Sequence, residues 1–287
     1  MMRDNTYCSV AAENRGKFLE KTTTHIFKSV FGPKNVFENV ILKQDTKDTA
    51  GEIDTLIVYG EFVLVVQAKS KRVTLKARAG DSEALKKDFA GAIQAPYKQA
   101  VECIEHIRNG ARCTSVDGKA IAFPAAPRYF PVVILSDPFP ACTILSRRLL
   151  DRGRNVAPTI WDLGALDCIA RLLPNPIELL FYLKCRSDVF DRAISDSEYN
   201  FLGFHIRAKL ALAEDVDMLV IERDFATTVD DYMISADVGV EAERPLGILE
   251  TTQIPIISAM LAQLKHADPR LAGVIVELYG ASSAALK

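Results

Sequence analysis

Two short apolar runs, Leu56 to Tyr59 and Phe62 to Val66, flank Gly60-Glu61 and leave this part of the chain few options. Two strands around a tight glycine-containing turn make a β-hairpin. Both runs are apolar on both faces, the mark of strands buried inside a sheet. Polar groups nevertheless occupy the far ends: Glu52 and Asp54 in the first strand, Gln67 and Lys69 in the second. A hairpin sets those ends side by side. Side chains alternate with period two, so Glu52 and Asp54 share a face, and so do Gln67 and Lys69. A carboxylate, an amide and an amine thus gather at one edge of a greasy hairpin. Burying such groups is costly unless they are paired or bound to something.

The flanking segments supply the rest of a layered fold. Residues 9–31 predict a helix, with Phe18, Leu19, Thr22, Ile26, Phe27 and Val30 as its apolar stripe and Gly32-Pro33 as its stop. Glu20 falls on the edge of that stripe, as does Glu13. Val36 to Gln44 predicts a strand and Asp45 to Gly51 a polar turn. Lys71 to Arg78 alternates strictly, predicting a strand with one wet, basic face. Ser82 is the expected N-cap of a long helix ending at Asn109-Gly110, which Pro96 must kink or restart. A loop over 111–127 precedes a strand at Tyr129 to Leu135, and Thr159-Ile160-Trp161 predicts one more, with Asp162 capping the next helix. Helical patterns then dominate: 163–173, 176–187, 197–213, a turn from Asp230, and most of 246–280, with a short strand at Met218 to Glu222. The expected division is a domain over 1–165 and a mainly helical part over 166–287, packed on each other for want of a Gly/Ser linker.

Composition narrows the function classes. A net charge of −2 rules out a global basic field, so nucleic-acid binding would need local patches. No apolar run approaches the roughly 20 residues of a membrane helix. Six scattered cysteines without a Cys-x-x-Cys pair read as reduced thiols of a cytoplasmic protein. Phosphate-cradling, dinucleotide, zinc and Ser/His/Asp patterns are all missing. Glu20, Asp54, Gln67 and Lys69 remain as candidate chemistry, weighed against solvated strand ends or a surface ion pair.

The order helix–strand–strand–strand–helix–strand, with an acid in the second strand and Gln-x-Lys ending the third, resembles the PD-(D/E)xK restriction-endonuclease-like superfamily. The Mrr-like and nuclease-related-domain (NERD) branches are the most similar. The motifs are Gly51-Glu52-Ile53-Asp54-Thr55-Leu56, then Val66-Gln67-Ala68-Lys69-Ser70, and upstream Gly16-Lys17-Phe18-Leu19-Glu20. The resemblance covers about residues 9–140. It implies an α/β fold with a restriction-endonuclease-like αβββαβ core, a mixed central sheet flanked by helices. It also implies a glutamine on the helix after the third strand, for which Gln94 and Gln99 both stand. Gln67 departs from the commoner acid but matches the Mrr-like variant, and it removes one negative ligand.

The implied activity is divalent-metal-dependent hydrolysis of phosphodiester bonds in DNA, with RNA as the other substrate. The alternative is a catalytically weak or silent binding module. Hard-cation chemistry fits the residues: Asp54, Glu20, the Gln67 amide oxygen and the Ala68 carbonyl would hold Mg²⁺ or Mn²⁺. Lys69 would orient or deprotonate water, or stabilise charge on the phosphorus. Phosphate contacts are expected from Lys71, Arg72, Lys76 and Arg78, extended by Lys86, Lys87, Arg147, Arg148, Arg152 and Arg154. The helical C-terminal part is the expected surface for a homodimer or protein partner.

Overall fold

In the computed structural model, residues 5–44, 49–153, 156–213, 215–240, 245 and 268–284 are described. Helix α1 (Asn5–Phe31) buries Leu19, Thr23, Ile26, Phe27 and Val30 against the sheet. Phe18 is not part of that stripe: it is 63% exposed, because the buried face turns through Leu19 and Thr23 instead. Gly32, at φ +79°, stops the helix with its N–H on the Lys28 carbonyl.

Strands β1 (Val36–Lys43), β2 (Thr49–Tyr59) and β3 (Phe62–Lys69) follow. With β4 (Arg112–Thr114), β5 (Arg128–Leu135) and β6 (Thr159–Asp162) they form one sheet in the order β4-β1-β2-β3-β5-β6. The pairs β4–β1, β1–β2 and β2–β3 are antiparallel, while β3–β5 and β5–β6 are parallel. The sheet is therefore mixed, and β3 lies at its centre. Its Phe62, Leu64 and Val66 face the α1 side, and Val63 and Val65 the other side. That two-sided burial is why β3 is an unbroken apolar run.

Residues 71–78 are not a strand. The chain runs irregularly to Thr74 and then makes one helical turn, α2 (Leu75–Arg78). Both sides of β3 are already taken, by β2 and β5, so no edge is open to a strand here. The buried Asp88 carboxylate instead takes the Thr74 N–H at 2.7 Å. Helix α3 (Ser82–Phe89) is capped by Asp81, not Ser82: Asp81 Oδ1 accepts from the Glu83 and Ala84 N–H groups. A π-turn over Ala90–Gln94 joins it to α4 (Ala95–Arg108) without a break in the helical backbone, and the widened turn takes up Pro96.

Helix α5 (Cys142–Leu149) precedes β6, whose Asp162 caps α6 (Leu163–Leu172) through the Ala165 N–H. Then come α7 (Pro176–Asp188), α8 (Glu198–Ala208) and α9 (Thr227–Asp237), with a small parallel pair of β7 (Ala193–Ile194) and β8 (Leu219–Val220). The last described helix is α10 (Ala272–Ala284); the expected helix over 246–267 lies outside the described residues. Residues of α6, α7, α8 and α10 share one hydrophobic cluster with α1 and the sheet. Among the described residues no helix is long and apolar enough to cross a membrane, and the five cysteines whose side chains are described are free thiols.

Candidate active site

The hairpin opens where its polar residues begin. The β2–β3 ladder runs from Tyr59↔Phe62 to Thr55↔Val66 and stops, while β2 stays paired to β1 as far as Thr49. Side chains take over the backbone groups left in this fork. The Ala68 N–H donates to Asp54 Oδ2 at 2.7 Å. The Glu52 carbonyl accepts from Gln67 Nε2 at 2.8 Å, Gln99 Nε2 at 3.3 Å and the Cys103 thiol at 3.5 Å. Gln67, at 2% exposure, continues the Val63–Val65 row that faces α4, where Gln99 and Cys103 reside.

Asp54 faces the other way because of a local reversal. Asn39 stands opposite Asp54, between the pairs Glu38↔Thr55 and Val40↔Ile53, and adopts a left-handed φ of +48°. On one side of this point Val36 and Ile57 pack with α1; on the other Val40, Leu42 and Ile53 pack with α4. Simple alternation would keep Val36, Val40 and Leu42 on one face. The consequence is that two consecutive residues both meet α1. Thr55 Oγ1 is 2.6 Å from Thr24 Oγ1, and Asp54 lines a pocket of about 400 Å³ with Lys17, Glu20, Lys21 and Thr24 of α1 and with Glu38 and Asn39.

The electrostatics are those of a site short of positive charge. Burial pushes the Asp54 carboxyl up from 3.8 to about 6; Glu20 and Glu52 push the same way, against the Ala68 hydrogen bond and the charge of Lys69. Glu20 is raised too, first by burial and then by Glu52, with Lys17 and Lys69 opposing. Lys69, exposed at the end of β3, thus acts on both acids. Glu20 and Asp54 fit a hard cation as oxygen donors drawn from separate elements. Gln67 has only Oε1 left to offer, since its N–H groups face the Glu52 carbonyl. Among the described residues no group of three or more His, Cys, Asp or Glu is placed to hold a metal ion.

The other expected site residues are dispersed. Lys71 Nζ donates to the Lys87 carbonyl at 3.2 Å and lies 3.7 Å from Asp88. Arg72 pairs with Asp137 at 3.3 Å, Lys86 with Glu83 at 2.8 Å, and Arg152 with Asp191 at 2.8 Å. Lys76 is exposed on α2. Gln94 spends both ends of its amide on the Asp151 backbone, so Gln99 is the glutamine that reaches the fork. Arg154 lies outside the described residues. Sequence reasoning set Glu52 beside Asp54 but gave it no role; here its charge raises both neighbouring acids and its carbonyl gathers three donors. Lys21 and Thr24 were missed, although both follow Glu20 within one helical turn.

Residues 15–136 match the family model described as the nuclease-related domain (NERD), consistent with a PD-(D/E)xK-like nuclease domain. No curated protein and no solved structure matches the chain.

Proposed function

We propose that this chain, nuclease-related over residues 15–136, is a divalent-metal-dependent nuclease that hydrolyses phosphodiester bonds in DNA. One observation carries the reading: Glu20 of α1 and Asp54 of β2 line a single pocket, and Lys69 acts on both. Burial first and neighbouring carboxylates second raise both groups, so a bound cation would relieve the cost of ionising them. Asp54 and Glu20 would hold Mg²⁺ or Mn²⁺, with the Ala68 carbonyl as a neutral donor, while Gln67, turned to the α4 side, would hold the Glu52 carbonyl beside them. When bound, the ion would polarise the phosphate and acidify water. Asp54 is kept in place by the Ala68 N–H, so its carboxylate needs no reorganisation to receive a cation. Lys69 would carry the compensating charge beside the phosphorus oxygens and orient the attacking water. Because Asp54 holds its proton up to about pH 6, cation binding weakens as pH falls through that value. Residues 166–287 would serve as the accessory part, for substrate or a protein partner. Supercoiled plasmid with Mg²⁺ is the test. Nicking by the native protein and its loss in Lys69→Ala are expected; no nicking, or unchanged nicking in that variant, refutes the reading.

Gln67 favours a second reading, a nuclease fold that binds nucleic acid or protein without cutting. It replaces an acid, and its N–H group is committed to the Glu52 carbonyl. Calorimetry showing no Mg²⁺ binding, together with retained DNA binding, selects this reading.

A further inference from the structure

The basic residues expected to meet the substrate are largely committed elsewhere: Lys71 to Lys87 and Asp88, Arg72 to Asp137. Besides Lys69, the positive charge that borders the candidate site comes from α1. Lys17 and Lys21, one helical turn and about 6 Å apart along the axis, line the same pocket as Glu20 and Asp54. Lys21 is exposed, and Lys17 is 62% exposed with an i,i+4 contact to Glu13 as its ion pair. Such a pair is weak and readily exchanged for a phosphate.

A glycine on the same helix adds an independent observation. A glycine inside a helix weakens it, so its presence calls for a reason. A side chain at Gly16 would meet only Ser70 Oγ at 3.7 Å and Glu20 Oε1 at 4.0 Å, both ordinary contact distances. Packing therefore does not require glycine there. What its bare backbone does is leave the Ser70 hydroxyl and the Glu20 carboxylate uncovered at the exit of β3, where a methyl would stand in contact with both.

Resting on the nuclease reading, we propose that α1 is the phosphate-contacting element of the substrate surface. Lys17 and Lys21 hold backbone phosphates of the DNA strand on either side of Glu20. With no methyl at Gly16 to cover it, Ser70 Oγ donates to a phosphate oxygen.

The test is binding of a fluorescent DNA duplex across a salt series, in the Asp54→Asn background and without divalent cation. Neither metal binding nor cleavage is needed for this readout. Each phosphate-contacting lysine contributes about one to the slope of log K against log salt, so Lys17→Gln/Lys21→Gln should flatten it by about two. Gly16→Ala should weaken binding roughly tenfold, equivalent to about 1.4 kcal/mol, while raising the melting temperature by about 2–4 °C through helix propensity. A merely structural glycine would not move the two in opposite senses. No measurable binding, an unchanged slope, an equal loss from the exposed pair Lys34→Gln/Lys119→Gln, or unchanged affinity in Gly16→Ala overturns the proposal. If the slope and affinity change as expected but the native protein cuts nothing with Mg²⁺, the nuclease reading fails and the α1 surface stands.

Discussion

Replacing Asp54 with Asn should stabilise the metal-free protein at neutral pH. The substitution removes a charge and keeps an oxygen to accept the Ala68 N–H. The folded protein holds the Asp54 proton more tightly than the unfolded chain does, with a pKa of about 6 against 3.8. Its contribution is therefore fully present below pH 3.8 and is lost as pH rises through about 6. At 1.36 kcal/mol per pKa unit, the ionised carboxylate costs about 3 kcal/mol at pH 7.5 and about 1.5 kcal/mol at pH 5. Urea unfolding of Asp54→Asn in a chelator should show that advantage and its decline with pH. Mg²⁺ should reverse the order, stabilising the native protein by about 4.1 kcal/mol at a thousandfold excess over its Kd and leaving the variant unchanged. A variant no more stable than the native protein at pH 7.5, or one whose advantage is the same at both pH values, would refute the reasoning.

Other substitutions address the surrounding framework. Gln67→Glu removes the donor to the Glu52 carbonyl and sets two acceptors face to face, so thermal melting should report a loss of about 1–3 kcal/mol. Glu198 is nearly buried and accepts from Trp161 Nε1, the Tyr182 hydroxyl and Arg186 Nε; Glu198→Ala leaves Arg186 unpaired and should cost about 3–5 kcal/mol by chemical denaturation. Gly60 sits at φ +60°, and a Cβ there would collide with the Pro269 carbonyl oxygen. Gly60→Ala should therefore lower stability by about 1–3 kcal/mol and speed amide exchange in α10, which follows Pro269.

Local pattern was enough for whatever is repeated over several residues. Period two and Gly60-Glu61 announce the hairpin, the 3.6-residue stripe announces α1, and two-sided apolarity marks β3 as central. The same logic placed Asp54 and Lys69 at one end of the hairpin, and the helical stripe carried Glu20 toward it. Tertiary structure decided what depends on a partner distant in sequence. The alternation of Lys71 to Arg78 carries a strand's pattern, but β2 and β5 leave it no edge, and Asp88 captures Thr74 instead. Gln94 and Gln99 are equivalent on paper; the Asp151 backbone claims one and the fork the other. Asn39, a single left-handed residue opposite Asp54, turns that carboxylate toward α1 while Gln67 keeps to the α4 side. Alternation along one strand cannot register such a reversal, because it arises from the pairing of two strands and from the helix packed on each face.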